Sequence, residues 1–433
     1  NGERRHVRIG DDSFLDPYLR PASENMSQIV GYAIADVQRT EERQRRRRPK
    51  AQKVFEETVS ALLCAAAAHH LSGKAGALVT TRANNRLSAE SRYKPVIYSA
   101  QYRHILDHLA APGAGWIEQT IGFRTSASNA PATTIKASER LKVYMRERQV
   151  TRADIKRVRG GEPIILKSSA DDATRDKGLV DYEDTEVTRA YREEVDTINV
   201  FLAEADIEAW GAEGVDDRER TLRRVFNNGS FEQGGRLFGG FWEAMGKDAR
   251  LQSIEIDQEP VVELDYGQMS ARVIYGLASE PVTFEDAYLL NRFPEPLRSH
   301  IRTAVKKVFN SMLNRTTQLN RYPEGVRDMV DKHLTDTDRP VSAGVMREAI
   351  LKQHPAIADW FESGQGLKLM FRESEILIDV LLALNAEGIV ALPIHDAILV
   401  GSSHEVRAKA VMEGVFRDHV GGEPLVDVTR GDG

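Results

Sequence analysis

A chain of 433 residues, 41% hydrophobic and 29% charged, has material for two or three domains with a sizeable core. No apolar run approaches the roughly 20 residues that span a bilayer, so a helical membrane protein is excluded as a reading. The single cysteine, Cys64, excludes an internal disulfide and cysteine-based zinc sites, and points to a reducing, cytoplasmic setting. Net charge is −6, but residues 1–160 carry 28 Lys and Arg against 16 Asp and Glu (+12), and the rest carry 31 against 49 (−18). This split suggests a basic part that meets a polyanion and an acidic part with another task.

In chain order, residues 1–50 read as an irregular basic arm with the run Arg45-Arg46-Arg47-Arg48, which fits a polyanion or a solvated arm. Residues 51–165 read as a mainly helical domain. Val54-Phe55, Val59, Leu62-Leu63 and Ala66 recur at helix spacing, and a basic stretch ends at Arg159 before Gly160-Gly161. Residues 166–220 read as a polar linker, at 166–183, followed by a helix capped near Thr185, with Val187, Tyr191, Val195, Ile198 and Leu202 on one side. Asp181-Tyr182-Glu183 has an exonuclease-like form but lacks its own α/β domain, so linker acids are the preferred reading. From 221 onward strands and helices mix, giving an α+β carboxy-terminal region. Its opening block, Arg223 to Trp242, is rich in Gly, Arg and aromatics, and Arg224 and Arg236 are candidate contacts to phosphates and bases.

Three segments carry chemistry. Val261-Val262-Glu263-Leu264-Asp265 reads as a buried strand ending in a carboxylate, followed by Tyr266-Gly267-Gln268-Met269-Ser270-Ala271-Arg272. Leu392 to Val400 reads as two short strands with His395-Asp396 at the bend. Between them, four-residue steps put Arg298, Arg302, Lys306 and Asn310 in one row of a single helix over 297–314. Cations in such a row repel one another, and a bound polyphosphate reverses that sign. Two fixed carboxylates beside a basic helix face describe nucleotidyl transfer.

This ordered set resembles the three motifs of family A DNA polymerases and of the related single-subunit phage-type RNA polymerases. Asp265-Tyr266-Gly267-Gln268 with Arg272 looks like the first, Arg302 with Lys306 the second, and Ile394-His395-Asp396 the third. Gly235-Arg236-Leu237-Phe238 is similar to a segment preceding the first motif in the phage-type enzymes, and the block as a whole looks like compact polymerases of mobile elements. The resemblance implies a right-hand fold: a palm with an antiparallel sheet at 221–285 and 346–433, short helical fingers at 286–345, and a helical thumb. It implies two Mg²⁺ ions, with Mn²⁺ as a substitute, held by Asp265, Asp396 and the Tyr266 carbonyl. Arg298, Arg302, Lys306, Ser270 and Asn310 would contact the nucleotide, and His395, Gln268, Arg272, Arg236 and Arg224 the primer and template. The partners implied are DNA primer-template, dNTPs or rNTPs, and a small accessory protein, with no membrane.

Two departures stand out. Ser270 stands where DNA-synthesising members carry a glutamate that blocks a 2′-hydroxyl, so weak ribonucleotide exclusion, and with it primase activity, is expected. Asn310 stands where the family has an aromatic or methionine, with Phe309 one position early. The alternatives are a single-subunit RNA polymerase or primase and a catalytically weak DNA-binding replication module.

Overall fold

The computed structural model describes residues 12–41, 43–123, 132–158, 160–170, 177–211, 215–334 and 340–431. Arg159 and residues 171–176 of the expected linker lie outside the described residues. The chain divides into two compact units, Asn1–Glu162 and Pro163–Gly433. Both mix helices with sheets, an α+β architecture.

The amino-terminal unit is built around the helix Pro49–Leu71. Every residue from Thr58 to Ala67 is buried there, and a helix that is apolar all round belongs inside a core. The helices Glu24–Thr40, Tyr102–Ala110 and Glu139–Glu147 pack on it. So does a four-stranded sheet in the order Ser13–Phe14, Leu78–Thr80, Thr133–Ala137, Ile117–Thr120. Two readings are corrected. Residues 1–50 are not all irregular: Ser23 caps the helix Glu24–Thr40, which buries Met26, Ile29, Val30, Ala33 and Val37. The domain read as mainly helical also contains that sheet, whose strands of two to five residues are too short to show a period.

The carboxy-terminal unit holds a six-stranded antiparallel sheet. Its central strand is Glu259–Tyr266, flanked by Ala397–Gly401 on one side and Val426–Arg430 on the other. Val261, Val262 and Leu264 are buried, as expected of a strand enclosed on both edges. The helices Gly366–Ala386 and Glu405–Val420 pack on this sheet, the helix Met269–Leu277 packs on both of them, and the Tyr266 hydroxyl donates to the Met412 carbonyl at 2.6 Å.

A smaller sheet pairs Ile164–Leu166 in parallel with Arg223–Asn227, which runs antiparallel to Ser230–Phe238. The strand Ile164–Leu166 straddles the boundary expected between the helical domain, ending at 165, and the linker, starting at 166. Gly235 lies at φ +80°, and a Cβ there would meet Ser374 Oγ at 2.6 Å and Phe371 at 3.3 Å. Gly235→Ala is expected to lower stability by about 1–3 kcal/mol in denaturant unfolding, because it combines backbone strain with overpacking. An unchanged midpoint would contradict this close approach.

The single helix expected over 297–314 is two, Leu297–His300 and Arg302–Asn314, joined at Ile301 (φ −89°, ψ 3°). Arg298 therefore stands on a separate short helix, out of the row formed by Arg302, Lys306 and Asn310.

Candidate active site

Asp265 pairs in register with Ala397, and the Tyr266 amide donates to the Asp396 carbonyl at 3.2 Å. Asp265 thus faces the first residue of the neighbouring strand, and Asp396 lies in the turn just before that residue, with the two strands about 5 Å apart. His395 turns the hairpin between Ala391–Ile394 and Ala397–Gly401 in a left-handed conformation (φ 57°), which leaves Asp396 at the strand end. Burial, and then the charge of Asp396, push the Asp265 carboxyl up to about 7; Lys306 and Lys247 oppose that rise. A buried carboxyl held up by a second carboxylate beside it marks a site that a cation would relieve.

The helix Arg302–Asn314 brings one cation to the pair. Lys306 is exposed and close enough for its charge to act on Asp265. Arg302 is instead ion-paired with Asp286 and lies over the Tyr288 ring, 5.5 Å from its centroid. Arg298 pairs with Glu295 at 2.8 Å. Phe309 is fully buried against Tyr288, Phe361 and His354, so it serves the core and presents no face for stacking. Asn310 is half-buried, and its Oδ1 has no hydrogen-bond partner.

Beside the aspartates lies a polar corner that the sequence did not reveal. Ser270 Oγ donates to Glu373 Oε1 at 2.7 Å, and Arg236 donates to Glu373 Oε2 at 3.0 Å. Glu373 comes from the helix Gly366–Ala386 and is 6% exposed. Burial drives its pKa upward and Asp396 adds to that, while Arg236 and Ser270 act against it. His395 reaches the same corner. Its ring lies 6.3 Å from that of Phe238, and partial desolvation and then the Arg236 guanidinium hold its pKa below the ordinary value.

Three expected nucleic-acid contacts face inward. Arg224 has no exposed surface; it donates to the Gly235 carbonyl at 3.1 Å and pairs with Glu194 and Glu375. Arg272 is buried and donates to the Glu423 carbonyl at 3.0 Å. Gln268, also buried, donates to the Glu285 carbonyl at 2.9 Å and accepts from the Ala287 amide at 2.8 Å. These side chains brace the scaffold, with polar groups engaged inside the protein. Gln268 fixes the segment that carries Asp286, and His354 secures the same segment by bonding the Ala287 carbonyl at 2.8 Å. That carbonyl only accepts, so His354 Nε2 donates and its Nδ1 accepts from the Tyr275 hydroxyl at 3.0 Å.

Among the described residues, no group of three or more His, Cys, Asp and Glu forms a metal cage. Two carboxylates fill only part of an octahedral Mg²⁺ shell and leave the rest to water and phosphate oxygens, the way that ion is held in phosphoryl-transfer sites. The donor set therefore fits that ion and does not fit a closed structural metal. Among the described residues, no helix is long and apolar enough to cross a membrane.

No known protein family matches the chain, and no curated protein matches it. Among solved structures, the polymerase domain of Pol1 from M. smegmatis, in complex with DNA primer-template and dNTP, aligns at 12% identity with a TM-score of 0.29. The alignment covers 95% of this chain and 66% of that one, and its score is too low to establish a shared fold.

Proposed function

We propose that the carboxy-terminal unit is a template-directed nucleotidyltransferase, a right-hand DNA polymerase without proofreading that uses dNTPs on a primer-template. The observation that carries this reading is the meeting of Asp265, near its strand end, with Asp396, in the adjoining hairpin turn, beside Lys306. Asp265 and Asp396, with the Tyr266 carbonyl, would hold divalent metal. When bound, the metal would lower the pKa of the primer 3′-hydroxyl and neutralise charge at the α-phosphate. Lys306 offsets charge on the triphosphate, and Arg302 joins it once released from Asp286. Exposed His395 at the hairpin bend steadies the primer end. The amino-terminal unit has 28 Lys and Arg against 17 Asp and Glu, a surplus of 11 positive charges, which supports a role in gripping the nucleic-acid backbone.

Primer extension tests the reading. In Mg²⁺ the protein is expected to extend a primer as its template directs, and EDTA is expected to stop it. Asp396→Ala should lower the rate by about 10³-fold or more while DNA affinity stays within about threefold, because phosphate contacts from Lys and Arg supply that affinity. Undiminished synthesis by Asp396→Ala, or an equal loss of synthesis and DNA binding, would rule the assignment out. Running the same reactions on unprimed template with rNTPs decides the primase question.

A further inference from the structure

Glu373 is a carboxylate placed where an apolar side chain would be expected. Its neighbours in the buried stripe of the helix Gly366–Ala386 are Leu369, Ile376, Leu377, Val380 and Leu384. A charge in such a stripe persists only when its oxygens are engaged. Both of them are, by Ser270 Oγ at 2.7 Å and by Arg236 at 3.0 Å. The Nε of Arg236 is buried and has no partner, so Glu373 is what holds this guanidinium in place.

The corner adjoins the aspartate pair: Ser270 lies in the first turn of the helix that follows the Asp265 strand, and Phe238, on the same strand as Arg236, has its ring 6.3 Å from that of His395, the chain neighbour of Asp396. A nucleoside triphosphate with its α-phosphate at the aspartates has its pentose one ester linkage away. The pentose must then rest against side chains bordering the pair. Ser270 alone is small and would leave room for a hydroxyl, but its proton is committed to Glu373 and the space beyond it is filled.

Building on the nucleotidyl-transfer reading, we propose that Glu373 is the specificity-determining residue for the sugar of the incoming nucleotide: its carboxylate, braced by Ser270 and Arg236, forms the wall against C2′ of a deoxyribose and excludes a 2′-hydroxyl. The bracing gives the wall its force. A yielding pocket rejects an added hydroxyl weakly, whereas a side chain tied at both oxygens cannot swing aside.

The test is single-nucleotide incorporation with matched dNTP and rNTP, read as the ratio of kcat/KM values. The unmodified protein is expected to favour the dNTP by about 100-fold or more. Glu373→Ala should lower that ratio about tenfold or more, chiefly by raising kcat/KM for the rNTP, and Glu373→Gln, of the same shape, should retain most of the selectivity. Ser270→Ala, which removes one brace and leaves the core helix intact, should lower the ratio by a smaller factor. An unmodified protein indifferent to the sugar overturns the proposal, as does an unchanged ratio in a Glu373→Ala protein that still extends with dNTPs. If Glu373→Ala does not fold, an unchanged ratio in Ser270→Ala overturns it. An unmodified protein that extends with neither sugar instead refutes nucleotidyl transfer itself, and the proposal falls with it.

Discussion

Asp265→Asn is expected to make the metal-free protein more stable and to abolish synthesis. The Asp265 carboxyl titrates near 7 in the folded chain and near 4 when unfolded, because it is half-enclosed and shares its site with Asp396. Between those values the folded state holds a proton that the unfolded state has released. Stability therefore falls as pH rises through this window, by about 1.4 kcal/mol per unit, and stays low above it. The shift of about three units corresponds to roughly 3–4 kcal/mol at pH 8. Asparagine mimics the protonated form and escapes this loss. Chemical denaturation in EDTA should show the variant above the unmodified protein at pH 8, with the gap narrowing toward pH 5. Synthesis should drop about 10³-fold or more, since a metal ligand is gone. A variant no more stable than the parent at pH 8 would mean that burial and the charge of Asp396 do not raise the Asp265 carboxyl.

Arg224→Met is expected to destabilise the carboxy-terminal unit by about 3–5 kcal/mol while leaving DNA affinity unchanged in the folded fraction. Arg224 is wholly buried, 4.5 Å from the Tyr191 ring centroid and 5.1 Å from that of Phe226, and it ties the strand Arg223–Asn227 to the helices Glu186–Glu204 and Gly366–Ala386. Removing it strands Glu194 and Glu375 beside an apolar cage. The pKa of Glu194 is already raised by burial, with Arg224 holding it down. Pairing Arg224→Met with Glu375→Gln should recover part of the loss, because a buried ion pair replaced on both sides is far less costly than one broken on one side. A loss under about 1 kcal/mol for the single change would show that the pair carries little of the packing. A flatter salt dependence of DNA binding would return Arg224 to the interface.

Much of the site was written in local pattern. The run Val261 to Leu264 is buried at consecutive positions, Glu263 through its pairs with Lys247 and Arg250, because its strand is enclosed on both edges, and that enclosure holds Asp265 at a fixed strand end. The hairpin at His395-Asp396 followed from two short apolar runs separated by polar residues. What escaped notice depended on contacts between distant elements. Arg224 alternates with Phe226 and so shares its buried face, a period-two signal that the excess of arginine obscured. Glu373 falls in the apolar stripe of its helix, and that misplacement was the available clue. The break at Ile301 has no local cause in glycine or proline and leaves the apolar spacing intact, so helical periodicity ran through it. Ser23 as a cap, followed by apolar residues at helix spacing, would have revealed the helix Glu24–Thr40 inside the basic arm.

The most direct measurement places Mn²⁺ in a complex of the protein with a chain-terminated primer-template and the next dNTP, and determines the positions of the ions. Two ions about 4 Å apart, each touching Asp265 or Asp396, are the expected result. Ions bound elsewhere, or none retained by these two side chains, would contradict the assignment.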